Sequence, residues 1–241
     1  MRANKNPWIR FRDRTSDEVG VRLLSMPTRF FPARRGEAVT IPGRSGTVWV
    51  DDGADEGGQI GLQMAVDDPA LMDDAAAWLS GDGLLVISDE PNRAWHASVR
   101  KSITRSSIRA RLLGQTWTVM FDAQPYRYVY PEPEAVQVPG VGATLTNPSS
   151  IPALPVLTIE STGFFVVMVN NVIIQPVDED NGYIGTVVID SEAMEITDGE
   201  GGRAGNLISL SEFPVLEAGD NTVIRSGAIS RVTITRPWRY R

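Results

Sequence analysis

The chain has no cysteine and, in 241 residues, a single histidine, His96. The first absence rules out a disulfide framework, a thiolate metal site and a cysteine nucleophile. The second means that any Ser/His/Asp triad would have to pass through His96, and that no multi-histidine metal centre can form. Long apolar runs are missing too. Residues 164–169 and 172–174, parted by Asn170 and Asn171, fall far short of the roughly 20 residues that span a bilayer as a helix. The first fourteen residues carry Lys5, Arg10, Arg12 and Arg14 without the apolar stretch of an export signal, so neither export nor membrane residence is expected. Nucleophile elbow and phosphate loop are likewise absent. The most Gly-rich stretch, residues 199–205, has no Lys-Ser pair and reads as a loop tip.

What is present is ordinary globular composition, 42% hydrophobic and 22% charged, apolar enough to fold around a core. The net charge of −7 is unevenly spread. Residues 1–130 hold 17 Lys/Arg against 16 Asp/Glu, a balance of +1, and residues 131–241 hold 6 against 14, a balance of −8. An acidic second half without clustered cations disfavours tight binding to a phosphate backbone.

The first 130 residues read as a β domain with one helix. Ile9 and Phe11, then Val19, Val21 and Leu23, alternate with polar residues as half-buried strands do. Residues 39–41 and 47–50 flank Pro42-Gly43-Arg44-Ser45-Gly46, a strand-turn-strand pattern. Residues 51–58, rich in Asp and Gly, are expected to be an exposed loop before a strand over 59–65. A helix is expected over 68–80: Asp68 is the N-cap, Pro69 sits at the first helical position, and Leu71, Ala75, Trp78 and Leu79 make one apolar face ended by Gly81. Strands over 84–87 and 94–99 flank a turn at 88–92. Residues 116–121 place Trp117, Val119 and Phe121 on one side, as a core strand. The basic segment 100–111 is either a solvated hairpin or a contact surface for an acidic neighbour.

Pro131-Glu132-Pro133-Glu134 favours extended chain and marks a boundary. Domains are therefore expected at 1–130 and 131–241. Beyond the boundary no helical period occurs, and strand-like runs at 156–159, 164–169, 172–174, 186–190, 206–210 and 228–235, separated by turn residues, indicate an antiparallel β-sandwich. The fold class is mainly β with a single helix.

Chemistry finds little purchase. His96, between Trp95 and Ala97 in an expected strand, reads as structural or surface. Asp178-Glu179-Asp180-Asn181-Gly182 begins like a calcium loop, but its glycine comes one position early and no glutamate closes it. It reads as an acidic turn. No catalytic, metal or cofactor-binding residue is assigned, and no enzyme is expected.

Several signposts, in order, resemble the distal tail protein family of siphophages. In the first half these are Pro42, Gly43 and Gly46 of the turn, Trp78-Leu79 ending the helix, Ser88-Asp89-Glu90-Pro91, and Pro125-Tyr126. In the second they are Asn147-Pro148, Asp190 within Ile189-Asp190-Ser191, Pro214 within Phe213-Pro214-Val215-Leu216, Gly219-Asp220-Asn221, and Arg239-Tyr240 within the terminal Pro237-Trp238-Arg239-Tyr240-Arg241. The resemblance implies a galectin-like C-terminal β-sandwich and a hexameric ring built by the first domains, the second domains lying outward. It implies a structural virion protein at the tail tip, assembled in the host cytoplasm, with the tail tube protein, a tail-tip hub protein and the tape-measure protein as partners. DNA would pass through the ring without specific binding, and no cofactor or membrane would be involved. Candidate partner contacts are Asp51, Asp52 and Asp55 of the acidic stretch and Arg100, Lys101, Arg105 and Arg109 of the basic one. The alternative is a carbohydrate-binding module, for which Trp238 and Tyr183 are the flat aromatic candidates.

Overall fold

The computed structural model describes residues 6–100, 103–106 and 115–241. The chain divides into two compact units: one ends at Tyr130 and takes in Arg241, and the other spans Pro131–Tyr240. Strands dominate both, and no helix among the described residues is long and apolar enough to cross a membrane.

The first unit contains β1 (Ile9–Phe11), β2 (Arg14–Thr15), β3 (Val21–Leu23), β4 (Arg34–Thr40), β5 (Thr47–Asp55), β6 (Gly58–Val66), a helix α1 (Met72–Trp78), β7 (Gly81–Ile87), β8 (Arg93–Val99), β9 (Thr104–Ser106) and β10 (Gln115–Val129). Seven strands form one antiparallel sheet in the order β2-β1-β7-β8-β10-β6-β3, with β9 also pairing β10. Alternate residues of each strand point to one face, and here that face carries Ile9, Phe11, Ile60, Leu62, Met64, Leu85, Ile87, Trp117 and Phe121, all essentially without solvent contact. The helix lies on this face as the sequence reading expects. Asp68 accepts a hydrogen bond from the Ala70 amide at 2.9 Å, a 3-10 turn over Pro69–Leu71 leads in, and Ala75, Trp78 and Leu79 are buried. Trp78 donates from Nε1 to the Phe11 carbonyl at 3.0 Å and meets the Phe11 ring edge-on; Phe11 in turn meets Phe121 at 5.0 Å. An indole N–H would be costly to bury unpaired, so the helix has one seating that satisfies both ring and donor.

The expectation of a loop over 51–58 is corrected. β5 continues to Asp55 and β6 begins at Gly58, and β4 and β5 pair with each other as a separate two-stranded ribbon. Almost every residue of the ribbon is exposed, so the sequence shows none of the in-out alternation by which a half-buried strand is recognised.

The second unit is entirely β: β11 (Val136–Gln137), β12 (Ala143–Asn147), β13 (Val156–Val169), β14 (Val172–Pro176), β15 (Tyr183–Asp190), β16 (Glu195–Asp198), β17 (Ile208–Leu210) and β18 (Gly219–Ile234), followed by a two-residue strand at Arg239–Tyr240. The runs expected at 156–159 and 164–169 are one strand. β13 and β18 run side by side throughout, and their register shifts around Ser161 and again before Phe165. On one side of these shifts β13 pairs with β15, which pairs with β16; on the other it pairs with β14, which pairs with β17. One face of this sheet is aliphatic and fully buried, through Leu157, Ile159, Val167, Val169, Ile174, Val187, Ile189, Val223, Val232 and Ile234. With no helix to cover that face, the sheet curls over it, and the register shifts between β13 and β18 are bulges at which such strands bend.

Candidate functional site

Pro42 and Gly43 occupy the central positions of the turn at the ribbon tip, which the Arg44 amide closes onto the Ile41 carbonyl at 3.1 Å. Gly43 has φ +81°, the left-handed value that the third residue of a type II turn requires. Gly46, with φ +82°, returns the chain into β5. Below the tip, Ala38 faces Trp49, Val39 faces Val48 and Glu37 faces Val50. Gly36 makes room for the indole of Trp49: a Cβ there would lie 2.9 Å from Nε1 and 2.5 Å from the Val50 carbonyl oxygen. The ribbon therefore displays apolar side chains on both faces. Trp49 is 55% exposed, Val50 52%, Ile41 42% and Val39 37%. A two-stranded ribbon has no core of its own and gains nothing in water from such side chains.

The ribbon is held at its root by ions. Asp52 pairs with Arg35 (2.8 Å to Nε), and Asp51 caps the Gly53 amide at 3.0 Å. Asp55 differs. Its side chain is 1% exposed, accepts from Tyr126 Oη at 2.7 Å and from the Arg241 guanidinium at 2.8 and 3.1 Å, and lies 3.8 Å from Arg34. Burial alone would raise its pKa, but the hydrogen bonds from Tyr126 and Arg241 outweigh it and hold the carboxyl below the usual value. Asp55 is thus corrected as a partner contact: its charge is already spent inside the unit. Asp51 and Asp52 stay exposed. Arg100 is exposed with Asp82 at 3.7 Å. Arg105 belongs to β9, opposite Trp117, while Lys101 and Arg109 lie outside the described residues.

Most of the motif residues prove to be structural. Asp89 and Glu90 sit on the connection between β7 and β8 and receive Arg29; Glu90 also takes Arg127 at 2.8 and 3.1 Å. Both guanidinium groups lie 5.8 Å from the centre of the buried Trp95 ring. Pro91 is exposed beside them. Pro125 falls within β10 between Ala123 and Arg127, where the register with β8 breaks, as a residue without an N–H requires. In the second unit Asp190 accepts from the Glu192 and Ala193 amides at 2.9 Å each, fixing the turn into β16. Asn221, fully buried, donates to the carbonyls of Glu217 and Gly219 at 2.8 and 3.0 Å and accepts from the Glu217 amide and from Asn170 at 2.7 and 2.8 Å. Asn147 likewise donates to the carbonyls of Ile151 and Leu216. Pro214 is buried in the segment these asparagines tie down, Gly219 starts β18, and Arg239 donates to the Pro152 carbonyl. Arg29, Trp95 and Asn170 carried no marking in sequence, because their partners come together only in space.

His96 is exposed, its ring edge-on to Tyr128 at 4.9 Å. Trp238 is 7% exposed, so its ring is not presented to a sugar, while Tyr183 is half-buried and its hydroxyl donates to the Thr186 carbonyl at 3.2 Å. Among the described residues, no group of three His, Asp or Glu side chains is placed to hold a metal ion. Reasoning from pattern also missed an apolar stretch of the sheet edge. Leu24, Met26 and Phe31 are 43%, 44% and 88% exposed.

No family model matches the chain, and no curated protein matches it. The architecture itself, two β-rich units with one helix, is one found among solved structures. A solved structure similar to this chain is the Dit (gp 19.1) protein of phage SPP1, described as a paradigm of the hub adsorption apparatus in phages that infect Gram-positive bacteria. The two agree with a TM-score of 0.72 over 96% of this chain and 99% of that one, at 12% sequence identity. At that identity the likeness is one of fold.

Proposed function

We propose that the chain is a structural subunit of a phage tail tip, a distal tail protein without catalytic activity that assembles as a hexameric ring between tail tube and tip. The observation that carries this reading is the agreement in fold with the SPP1 hub protein over essentially the full length of both chains. The ribbon supports it independently. A monomer gains nothing by exposing Trp49, Val50, Ile41 and Val39 on a projecting arm, whereas a subunit that wraps a neighbour buries them. Tube protein, tip hub protein and tape-measure protein are the partners of such a ring, and DNA crosses it without base recognition. The reading places the protein in the virion after assembly in the host cytoplasm.

Mass measurement in solution tests the proposal, with negative-stain imaging beside it. The expected result is a closed particle of six 26.3 kDa chains. A chain that stays monomeric at every concentration, and is absent from purified tails, would overturn it.

A further inference from the structure

Asparagine followed by glycine occurs once in the chain, at Asn181-Gly182. In a flexible chain this pair is chemically unstable. The glycine amide nitrogen, with no side chain beside it to hinder its approach, attacks the asparagine Cγ. The N–Cγ bond forms as the Cγ–Nδ2 bond breaks, and ammonia leaves. Water then opens the resulting succinimide at either carbonyl, giving aspartate or its backbone isomer, isoaspartate. The reaction needs a free glycine N–H, a side-chain amide that can turn toward it, and a main chain that can rotate between the two.

The structure withholds all three. Asn181 is exposed, in the connection between β14 and β15, but both reacting groups are engaged by one residue. The Gly182 N–H donates to the Asp178 carbonyl at 3.0 Å. The Asn181 side-chain Nδ2 donates to Asp178 Oδ2 at 2.9 Å, while Oδ1 accepts from the Asn181 and Asp180 amides at 3.0 and 3.1 Å. Rotation is opposed by packing. Gly182 has φ +69°, and a Cβ on it would lie 2.1 Å from the Phe164 nitrogen and 2.2 Å from the Gly163 carbonyl carbon, so its backbone rests directly on β13. Tyr183, next in the chain, is paired with Gly163. The Asp178 carboxyl is held below its ordinary pKa, first by the Asn181 amide, so it is charged at the neutral and alkaline pH where cyclisation runs.

We propose that Asn181-Gly182 is a dormant site of spontaneous deamidation, kept closed by the Asp178 clamp. Reaction there would put a carboxylate beside Asp178, Glu179 and Asp180, and isoaspartate would add a methylene to the main chain at the entry to β15. The clamp therefore guards the lifetime of the second unit, whether or not the chain joins a ring.

The test incubates the full-length protein at mildly alkaline pH and follows the peptide that carries residue 181 by mass spectrometry, with enzymatic methylation of isoaspartate as a second readout. The same chain unfolded in guanidinium chloride gives the unguarded rate. Native protein should deamidate at least about tenfold more slowly than the unfolded chain, and Asp178→Ala should recover about tenfold, the worth of a hydrogen bond to a charged group expressed as a rate. Asp178→Asn, which removes the charge at the same size, should accelerate the reaction too. Amide exchange in β13 and β15 shows whether the variants stay folded. Faster reaction with unchanged protection in those strands is the expected result. Acceleration only together with lost protection assigns the slow rate to the fold at large and overturns the role of Asp178. Native protein that reacts as fast as the unfolded chain, or folded variants no faster than native, overturn the proposal as well.

Discussion

The two units solve the burial of polar groups in opposite ways. In the first, the interior is aromatic, with Phe11, Trp78, Trp117 and Phe121 buried, and most of the ion pairs lie at the rim, Arg14 with Asp74, Arg22 with Asp67, and Arg29 and Arg127 with Glu90, Asp55 with Arg241 being the buried exception. In the second, the interior is mostly aliphatic and the decisive polar contacts are neutral asparagines within it. Ion pairs at a surface contribute little, about 0–1 kcal/mol each. A buried amide with all its partners satisfied contributes more, because losing it strands those partners. The difference teaches that the first unit is held by its rings and can vary its surface, while the second depends on a few polar residues that hold its long loops.

The largest effect should therefore come from the aromatic core. Phe121→Ala removes a ring that Phe11 packs against at 5.0 Å and should cost about 3–5 kcal/mol in chemical denaturation. Next is Asn221→Ala. It leaves the Glu217 amide, several carbonyls and Asn170 without their partner, for an expected loss of about 3 kcal/mol. If Asn221→Ala proved as mild as a rim substitution such as Glu90→Gln, the contrast between the units would collapse.

Acid separates the units by a different route. The carboxyls of Asp74 and Asp52 are held below their usual pKa, first by hydrogen bonds from Arg14 and Arg35, and Asp55 is held down by Tyr126 and Arg241 against its burial. A carboxyl whose folded pKa is depressed contributes stability that is complete above the unfolded value, near about 3.9 for Asp, and is lost as pH falls through the folded value. The first unit should weaken on that descent. The asparagine network of the second does not titrate. Asp178, held down by the Asn181 amide, adds only a surface turn there. Asp55→Asn should flatten the fall of first-unit stability below about pH 4, read from unit-specific amide exchange; an unchanged slope would remove Asp55 from this account.

The sequence made local structure legible where one residue type has one cause. Asp68, Pro69, Trp78 and Leu79 declared the helix because capping, ring geometry and apolar spacing all act within a few residues. Pro42 and Gly43 declared the turn for the same reason. The ribbon body was invisible beyond Val50, since Asp51, Asp52 and Gly53 look like loop residues when neither strand face is buried. β13 read as two strands because Glu160, Ser161, Thr162 and Gly163 interrupt its apolar pattern, at the very bulge where the sheet turns over. The motif order led to the correct fold, but not to what its members do. Asp89 needs Arg29 and Asn221 needs Asn170, partners from distant segments that no spacing rule connects.

The smallest effect on the isolated chain is the most informative for function. Trp49 is the largest side chain of the ribbon, yet it packs against little beyond its own strand pair, across Gly36. Truncation removes apolar surface that is already largely in water, so Trp49→Ala should change unfolding free energy by less than about 0.5 kcal/mol. The ring proposed above would bury the same indole if the ribbon meets a neighbouring copy, and its loss there should raise the dissociation constant by about tenfold or more. Measured side by side, denaturation of the monomer and dissociation of the oligomer should therefore respond in opposite degrees to Trp49→Ala and to Phe121→Ala. Equal responses would mean that the ribbon is part of the fold, with no surface kept for a neighbour.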